Sequence, residues 1–141
     1  MVTGGVNWTT NTMGAVFGSA YGQITNWTGS ANTACESWLI SPAMNLTGAS
    51  APVFSFQNAY NYAGNPLTVW VSTNYDGVSA PSTATWTQLT VTLSTGAWAW
   101  VNSGNINLTP YISGSTYVAF KYVGTASNGS TWEIDDILIQ E

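Results

Sequence analysis

The run Leu67-Thr-Val-Trp-Val-Ser72 decides the fold class of this chain. Its apolar residues Leu67, Val69 and Val71 occupy every second position, and polar residues stand at Thr68 and Ser72. Because successive side chains of an extended chain point to opposite faces, this spacing is typical of a β-strand with one face in a core. Nowhere in the chain do apolar residues recur at helical spacing over a window of about eleven residues. The run therefore predicts a β-strand in an all-β protein.

Similar alternating runs lie on both sides of this stretch, with short turn sequences between them. Asp76-Gly77 and Ser113-Gly-Ser115 are two such turns, and Gly, Asn, Asp and Ser favour tight reversals of the chain. About eight or nine short antiparallel strands in a chain of this length are typical of a β-sandwich with jelly-roll topology. No shift in composition marks a second domain, so we expect one jelly-roll module over residues 1–141. The predicted strands lie near residues 14–18, 37–41, 52–59, 67–73, 86–93, 98–101, 105–108, 116–123 and 131–139.

The composition is rich in aromatic residues and poor in reactive ones. The chain has eight Trp, one Lys or Arg, six Asp or Glu and no His. Without His, neither a Ser-His-Asp nor a Cys-His arrangement can be built. A single cation in a chain of net charge −5 also disfavours binding to nucleic acid phosphates or to an acidic membrane surface. We therefore predict no catalytic residues, no nucleic acid partner and no membrane partner.

Two motifs give the chain a family resemblance. They are Glu36-Ser-Trp-Leu-Ile-Ser-Pro42 and Thr131-Trp-Glu-Ile-Asp-Asp-Ile137. With the runs 67–77 and 84–89 between them, they resemble the cleaved-adhesin, or choice-of-anchor J, domains of secreted Bacteroidota proteins, which are relatives of the MAM jelly roll. The resemblance covers residues 8–139. It implies a jelly-roll accessory module of a larger secreted protein, located outside the cell or at its surface; such modules include binders of calcium, glycans and host proteins.

Carboxylates crowd the last predicted strand at Glu133, Asp135 and Asp136, and Glu36 precedes the strand of the other motif. Neighbouring carboxylates repel each other unless a cation separates them, and Ca²⁺ prefers oxygen ligands of this kind. The resemblance implies a structural Ca²⁺ at the Ile-Asp-Asp strand, and we predict Glu36, Asp135 and Asp136 as its ligands. The alternative is a solvated acidic edge that discourages aggregation.

Glu133-Ile-Asp135 is also similar to the E-x-D-x-(x)-E run of jelly-roll β-glucanases. The second glutamate of that run would fall at Ile137 or Leu138. A two-carboxylate glycosidase mechanism needs both groups, so we do not expect a hydrolase.

The aromatic residues divide into two groups. Trp38, Trp86 and Trp132 lie in or between the family motifs, and we predict that they pack in the core or between the sheets. The others stand outside these motifs or on polar strand faces, where aromatic rings can stack on sugars while nearby amides bind the hydroxyl groups. Trp98 and Trp100 are two residues apart and are expected to share a face. The predicted ligand-binding residues are Tyr60, Tyr62, Trp70, Trp98 and Trp100.

These observations together predict a non-catalytic carbohydrate-binding module. It would bind a neutral polysaccharide or glycan through an aromatic platform and hold one structural Ca²⁺. The alternative is an adhesin or spacer domain whose outward aromatic residues lie in a protein–protein or self-association interface. Solvent exposure and coplanarity of the five aromatic side chains distinguish a platform from rings covered by a loop or by the opposite sheet.

Overall fold

The computed structural model describes residues 2–141, with side chains from residue 3 onward. Two antiparallel sheets pack face to face, and the described residues contain no α-helix. Two 3-10 turns lie at Pro81–Thr83 and Thr109–Tyr111. The strands are β1 (Val2–Thr3), β2 (Thr9–Asn11), β3 (Tyr21–Thr25), β4 (Cys35–Ile40), β5 (Val53–Asn61), β6 (Thr68–Ser72), β7 (Thr87–Leu89), β8 (Val101–Asn102), β9 (Ile106–Asn107), β10 (Tyr117–Gly124) and β11 (Thr131–Gln140).

The strand order confirms an antiparallel β-sandwich of the jelly-roll type. The five-stranded sheet runs β1-β4-β10-β6-β7, and the six-stranded sheet runs β2-β3-β11-β5-β8, with β9 also paired to β5. Sequence neighbours such as β10 and β11 lie in different sheets, so the chain crosses repeatedly between the two layers. No helix in residues 2–141 is long and apolar enough to cross a membrane.

The core lies between the sheets and is built by the alternation that the sequence shows. Val69 and Val71 are buried, as their spacing predicts. Phe120 of the five-stranded sheet meets Phe56 of the six-stranded sheet edge to face, with ring centroids 4.9 Å apart. Trp132 is also buried in this core. Each large apolar side chain that leaves water in this way contributes about 1.5–3 kcal/mol to stability.

Three predicted strands differ from the structure. Residues 14–18 form turns and bends, because Gly14 and Gly18 have φ values of 73° and 79°, which a strand does not allow. Of the predicted strand 98–101, only Val101 lies in a strand, at the start of β8, and Trp98 has a positive φ. The predicted strand 86–93 shortens to β7, after which the chain leaves the sheet.

The prediction that Trp38 and Trp86 pack in the core is wrong. In β4, Cys35 and Ser37 are buried, so the period of two places Trp38 on the outer face of the five-stranded sheet. Its ring centroid lies 5.2 Å from that of Trp86 and 6.3 Å from that of Trp70. These three tryptophans form an outer cluster on this sheet.

Candidate ligand-binding site

A surface pocket of about 410 Å³ opens at one end of the six-stranded sheet. Its walls come from three segments, which follow β3, follow β5 and lead into β11. No charged side chain lines it. The lining residues are Trp27, Asn32, Tyr62, Ala63, Ser127, Asn128, Gly129 and Thr131.

The strand order brings these distant segments together. Strand β11 lies between β3 and β5, and Thr131 at its start is opposite Thr25 on one side and Asn61 on the other. The hydroxyl groups of Thr131 and Thr25 are hydrogen-bonded at 2.9 Å. Since β3 and β5 both end at this level, the residues that follow them surround the segment that enters β11.

Two exposed aromatic rings line the pocket. Trp27 is 52% exposed and Tyr62 is 62% exposed. Trp98, which is 37% exposed, packs edge to face against Tyr62 from outside the pocket lining. Exposed rings of this size retain apolar surface that a ligand can cover.

The backbone around the Tyr62–Trp98 contact is unusual. Tyr62, Ala97 and Trp98 have φ values of 69°, 52° and 60°. A non-glycine residue in this region costs about 1–3 kcal/mol and persists only when its surroundings hold it. Here the backbone N–H of Tyr62 donates to Asn61 Oδ1 at 2.8 Å, and the N–H of Trp98 donates to the carbonyl of Tyr60 at 2.9 Å. Such residues concentrate at ligand sites.

The polar part of the lining is neutral. Asn32 and Asn128 bring side-chain amides, and Ser127 and Thr131 bring hydroxyl groups. An amide offers two donors and an acceptor, and a hydroxyl offers both functions. This chemistry suits a ligand that carries many uncharged hydroxyl groups.

The five predicted ligand-binding aromatic residues lie in different places. Tyr62 and Trp98 meet at the pocket. Tyr60 is turned toward the core side and stacks on Trp132, with centroids 4.4 Å apart. Trp100 instead contacts other rings, and Trp70 lies in the outer cluster of the opposite sheet.

The contacts of Trp100 show why alternation failed here. Its ring packs edge to face against Phe17 and Tyr21, at 5.5 Å and 6.0 Å. Trp98 contacts Tyr62 instead. The positive φ values at Ala97 and Trp98 break the extended chain, so the two tryptophans do not share one set of contacts. A single flat platform of all five residues is not present.

Of the pocket lining, sequence reasoning predicted only Tyr62 as a ligand-binding residue. Trp27 is one of the tryptophans outside the family motifs that were not predicted to bind the ligand, and Ser127, Asn128 and Gly129 have a composition typical of a turn. The signal available was an aromatic residue and a turn sequence that both stand beside strand ends. The sequence alone does not indicate that segments around residues 27 and 128 meet.

In the outer cluster on the five-stranded sheet, the indole N–H groups of Trp38 and Trp70 and the charge of Lys121 have partners on the same sheet. Lys121 Nζ lies 4.9 Å from the Trp38 ring centroid and 5.8 Å from that of Trp70, and 3.2 Å from Glu36 Oε2. The Trp38 indole N–H donates to Glu36 Oε1 at 2.7 Å. The hydrogen bond from Trp38, and after it the nearby Lys121, lower the pKa of Glu36. The indole N–H of Trp70 is bonded to Thr68 Oγ1.

The three predicted Ca²⁺ ligands are not brought together. Glu36 lies in β4 of the five-stranded sheet and is engaged by Lys121, whereas Asp135 and Asp136 lie in β11 of the other sheet. Among residues 2–141, no three His, Cys, Asp or Glu side chains form a group that could hold a metal ion.

Asp135 is the carboxylate with the best fit to a cation. Its Oδ1 accepts the backbone N–H of Asp136 at 2.8 Å, and its Oδ2 is buried without a hydrogen-bond partner. A buried unpaired carboxylate oxygen calls for a cation, a proton or a water molecule. Ca²⁺ binding stays a prediction, with Asp135 as its leading candidate ligand.

Glu133 lies on the outer face of the six-stranded sheet, between Gln23 and Ala59. It is 8% exposed, and its Oε1 accepts a hydrogen bond from Gln23 at 3.2 Å. Burial raises the pKa of Glu133. Burial, and after it the charge of the nearby Glu133, raises the pKa of Tyr21 to about 12. The Tyr21 hydroxyl donates to the carbonyl of Met13 at 2.8 Å. Glu133 does not line the pocket.

Residues 43–141 match the model of a family described as a domain of unknown function, DUF5017. The chain belongs to this family. No curated protein matches this DUF5017 chain.

Solved structures with the same fold are known. The K1 cleaved adhesin domain of Lys-gingipain from Porphyromonas gingivalis W83 is 18% identical, with 99% of this chain and 89% of that chain covered and a TM-score of 0.65. The CBM22-1 xylan-binding domain of Xyn10C from Paenibacillus barcinonensis is 17% identical, with 99% and 83% covered and a TM-score of 0.55. The family 30 carbohydrate-binding module of a cellulosomal cellulase from Clostridium thermocellum is 16% identical, with 96% and 82% covered and a TM-score of 0.58.

The first of these matches confirms the cleaved-adhesin resemblance that the two sequence motifs indicated. The other two share its sandwich architecture. At these identities the likeness concerns the fold, and the DUF5017 chain carries its own set of pocket residues.

Proposed function

We propose that this protein is a non-catalytic module that binds a neutral glycan in the pocket lined by Trp27 and Tyr62. One observation carries the proposal: two largely exposed aromatic rings line a pocket whose polar groups are all amides and hydroxyls. Aromatic rings cover the apolar faces of sugar rings, and amides and hydroxyls bond the sugar hydroxyls.

The absence of charge defines the ligand class. None of the lining side chains is charged, so nothing in the pocket would offset the desolvation of a carboxylate or sulfate on the glycan. The net charge of −5 adds a general repulsion of acidic polymers. The same lining holds no acid–base pair, which supports binding without catalysis.

The fold comparisons support the same function and location. A xylan-binding domain, a carbohydrate-binding module and a cleaved adhesin domain all share this sandwich. We propose accordingly that the chain serves as a glycan-binding or adhesive module of a larger extracellular or cell-surface protein. A structural Ca²⁺ at Asp135 is a separate part of the proposal.

A second candidate function is adhesion through protein contact or self-association. Ile137 and Leu138 are exposed large apolar residues near the β-bulge in β11, and such residues suit a protein interface. Sedimentation equilibrium distinguishes this function, since self-association would give a concentration-dependent mass that Ile137→Ser lowers.

The glycan proposal is tested by affinity gel electrophoresis in gels that contain xylan, mixed-linkage β-glucan or galactan. We expect at least one polymer to retard the wild type, and Trp27→Ala and Tyr62→Ala to abolish the retardation. Trp70→Ala is the matched control, because it removes a tryptophan from the opposite sheet. Equal migration of the wild type with and without every polymer would refute the proposal.

A further inference from the structure

We infer that Asn26 is a positioning residue that holds two of the three pocket segments at once, the loop after β3 and the loop before β11. The expected effect on glycan binding rests on the proposed function, whereas the hydrogen bonds that Asn26 makes to the two loops do not depend on it. The first pocket loop, residues 27–33, contributes Trp27 and Asn32, and the second pocket loop, residues 125–130, contributes Ser127, Asn128 and Gly129. Asn26 itself does not line the pocket.

The side chain of Asn26 is bonded to both loops. It is 0% exposed. Its Nδ2 donates to the carbonyl of Thr33 at 3.0 Å, at the end of the first loop, and to the carbonyl of Thr125 at 2.9 Å, at the start of the second. A third carbonyl, that of Asn128, lies 3.3 Å from the same nitrogen. One amide thus joins two of the three segments that form the pocket walls.

The remaining groups of Asn26 are also used. The Tyr122 hydroxyl donates to Asn26 Oδ1 at 3.3 Å from within the core, and the backbone carbonyl of Asn26 accepts the N–H of Thr33 at 2.9 Å. Two hydrogen bonds therefore join Asn26 to Thr33 and close the first loop at its base. Because Trp27 follows Asn26 directly, the direction in which its ring leaves β3 depends on this arrangement.

Two glycines make room for the amide. A Cβ atom placed on Gly129 would lie 1.5 Å from Asn26 Oδ1, and one placed on Gly124 would lie 2.6 Å from Asn26 Nδ2. The chain therefore approaches Asn26 closely from two sides, which only glycine permits. Both contacts would push any larger residue away from the amide.

Only an amide of this length satisfies the site. Three carbonyl oxygens surround a nitrogen that has two hydrogens to donate. A carboxylate of the same shape would place an acceptor among acceptors and leave a charge buried, which is far more costly than losing one hydrogen bond. We therefore expect Asn26→Asp to free both loops while it preserves side-chain volume.

The test compares hydrogen–deuterium exchange of the wild type, Asn26→Asp, Tyr122→Phe and Asn58→Asp. Asn58 is the matched control, because it is also buried and its Nδ2 donates to two backbone carbonyls, of Thr92 and Val101, outside the pocket loops. We expect Asn26→Asp to raise exchange in both loops by about tenfold or more, and Tyr122→Phe by a smaller factor. Asn58→Asp should leave both loops at the wild-type rate.

Binding provides the second measurement, with soluble xylan and galactan as probes. Asn26→Asp should weaken binding of whichever polymer the wild type binds by about tenfold or more. Unchanged exchange in either loop of a folded Asn26→Asp protein would overturn the inference. If that variant does not fold, Tyr122→Phe decides: loosening of both loops supports the inference, and wild-type exchange overturns it. A wild type that binds neither polymer, while the loops of Asn26→Asp loosen, would count against the proposed function alone.

Discussion

Tyr62 and Trp98 meet edge to face beside the pocket, with ring centroids 5.9 Å apart and ring planes at 88°. Both residues have a positive φ, and so does Ala97, which directly precedes Trp98. The strained backbone is what turns the two rings toward each other, since residues in a regular strand would alternate between faces. The contact leaves Tyr62 largely exposed while its edge is supported.

Trp98 should act on the ligand through Tyr62. We expect Tyr62→Ala to weaken glycan binding by about tenfold or more, as loss of an aromatic ring that the ligand covers does. Trp98→Ala should cost less, and the double variant should bind no worse than Tyr62→Ala, because the two rings act as one unit. Isothermal titration with the glycan identified by the gel assay measures all three affinities.

Trp100→Ala is the control for this cycle, since its ring packs on Phe17 and Tyr21. We expect its affinity to match the wild type. A loss as large as that of Tyr62→Ala would mean that the ligand extends along the sheet to Trp100.

Relief of the backbone strain should stabilise the protein. Ala97 has a φ of 52°, and glycine adopts this region without steric cost. After the entropy cost of glycine is subtracted, Ala97→Gly should raise the free energy of unfolding by about 0.5–1 kcal/mol. Urea denaturation measures it. Ala59→Gly, at a buried position in β5, should have the opposite sign, and a destabilised Ala97→Gly would contradict the strain argument.

Stability should depend on pH through Glu133. Burial raises the pKa of this carboxyl, so its proton is bound more tightly in the folded state. The resulting stability is present below its ordinary pKa and is lost as the pH rises through the folded pKa. We expect Glu133→Gln to melt at a higher temperature than the wild type at pH 7, with the difference vanishing near pH 4.

Glu36→Gln provides the control with the opposite sign. The hydrogen bond from Trp38 and the nearby Lys121 lower the pKa of Glu36, so its contribution is present at neutral pH and is lost as the pH falls through the folded value. Glu36→Gln should therefore be less stable than the wild type at pH 7 and approach it in acid. Melting curves of both variants across this range would reveal a wrong sign directly.

Calcium should stabilise the protein through Asp135 if its free buried oxygen is a ligand. We expect the melting temperature to rise on addition of Ca²⁺ and to return with a chelator, because a ligand that binds only the folded state shifts unfolding. Asp135→Asn should abolish the rise, whereas Glu36→Gln should retain it. A wild-type melting temperature that changes with neither Ca²⁺ nor chelator would refute the calcium proposal.

Much of the fold follows from local pattern. The alternation around Val69 and Val71 predicts which residues of β6 enter the core, and the same rule holds in β10 for Val118 and Phe120. The period of two involves only a few consecutive residues, so it can be recognised without knowing which strand is the neighbour. The rule also holds in β4, where it places Trp38 on the outer face of the sheet. The prediction of a core position for Trp38 was wrong because it followed the family motif and not the alternation.

The pocket follows from neither alternation nor motif. Trp27 and Asn128 line the same pocket because Asn26 is hydrogen-bonded to both of their loops and because β11 lies between β3 and β5. Tyr62 and Trp98 meet because their backbones leave the strand conformation. Both depend on which strands become neighbours and on hydrogen bonds between distant segments.

The alternation of apolar residues, the eight tryptophans and the scarcity of charge therefore determined a β-sandwich rich in aromatic rings, while the tertiary structure decided which of those rings are exposed. Composition is a sum over single residues, and periodicity depends only on residues that are close in sequence, so both can be obtained without the tertiary structure. The position of a ring relative to a loop about a hundred residues away depends on strand order, and that order is set only when the whole core is buried.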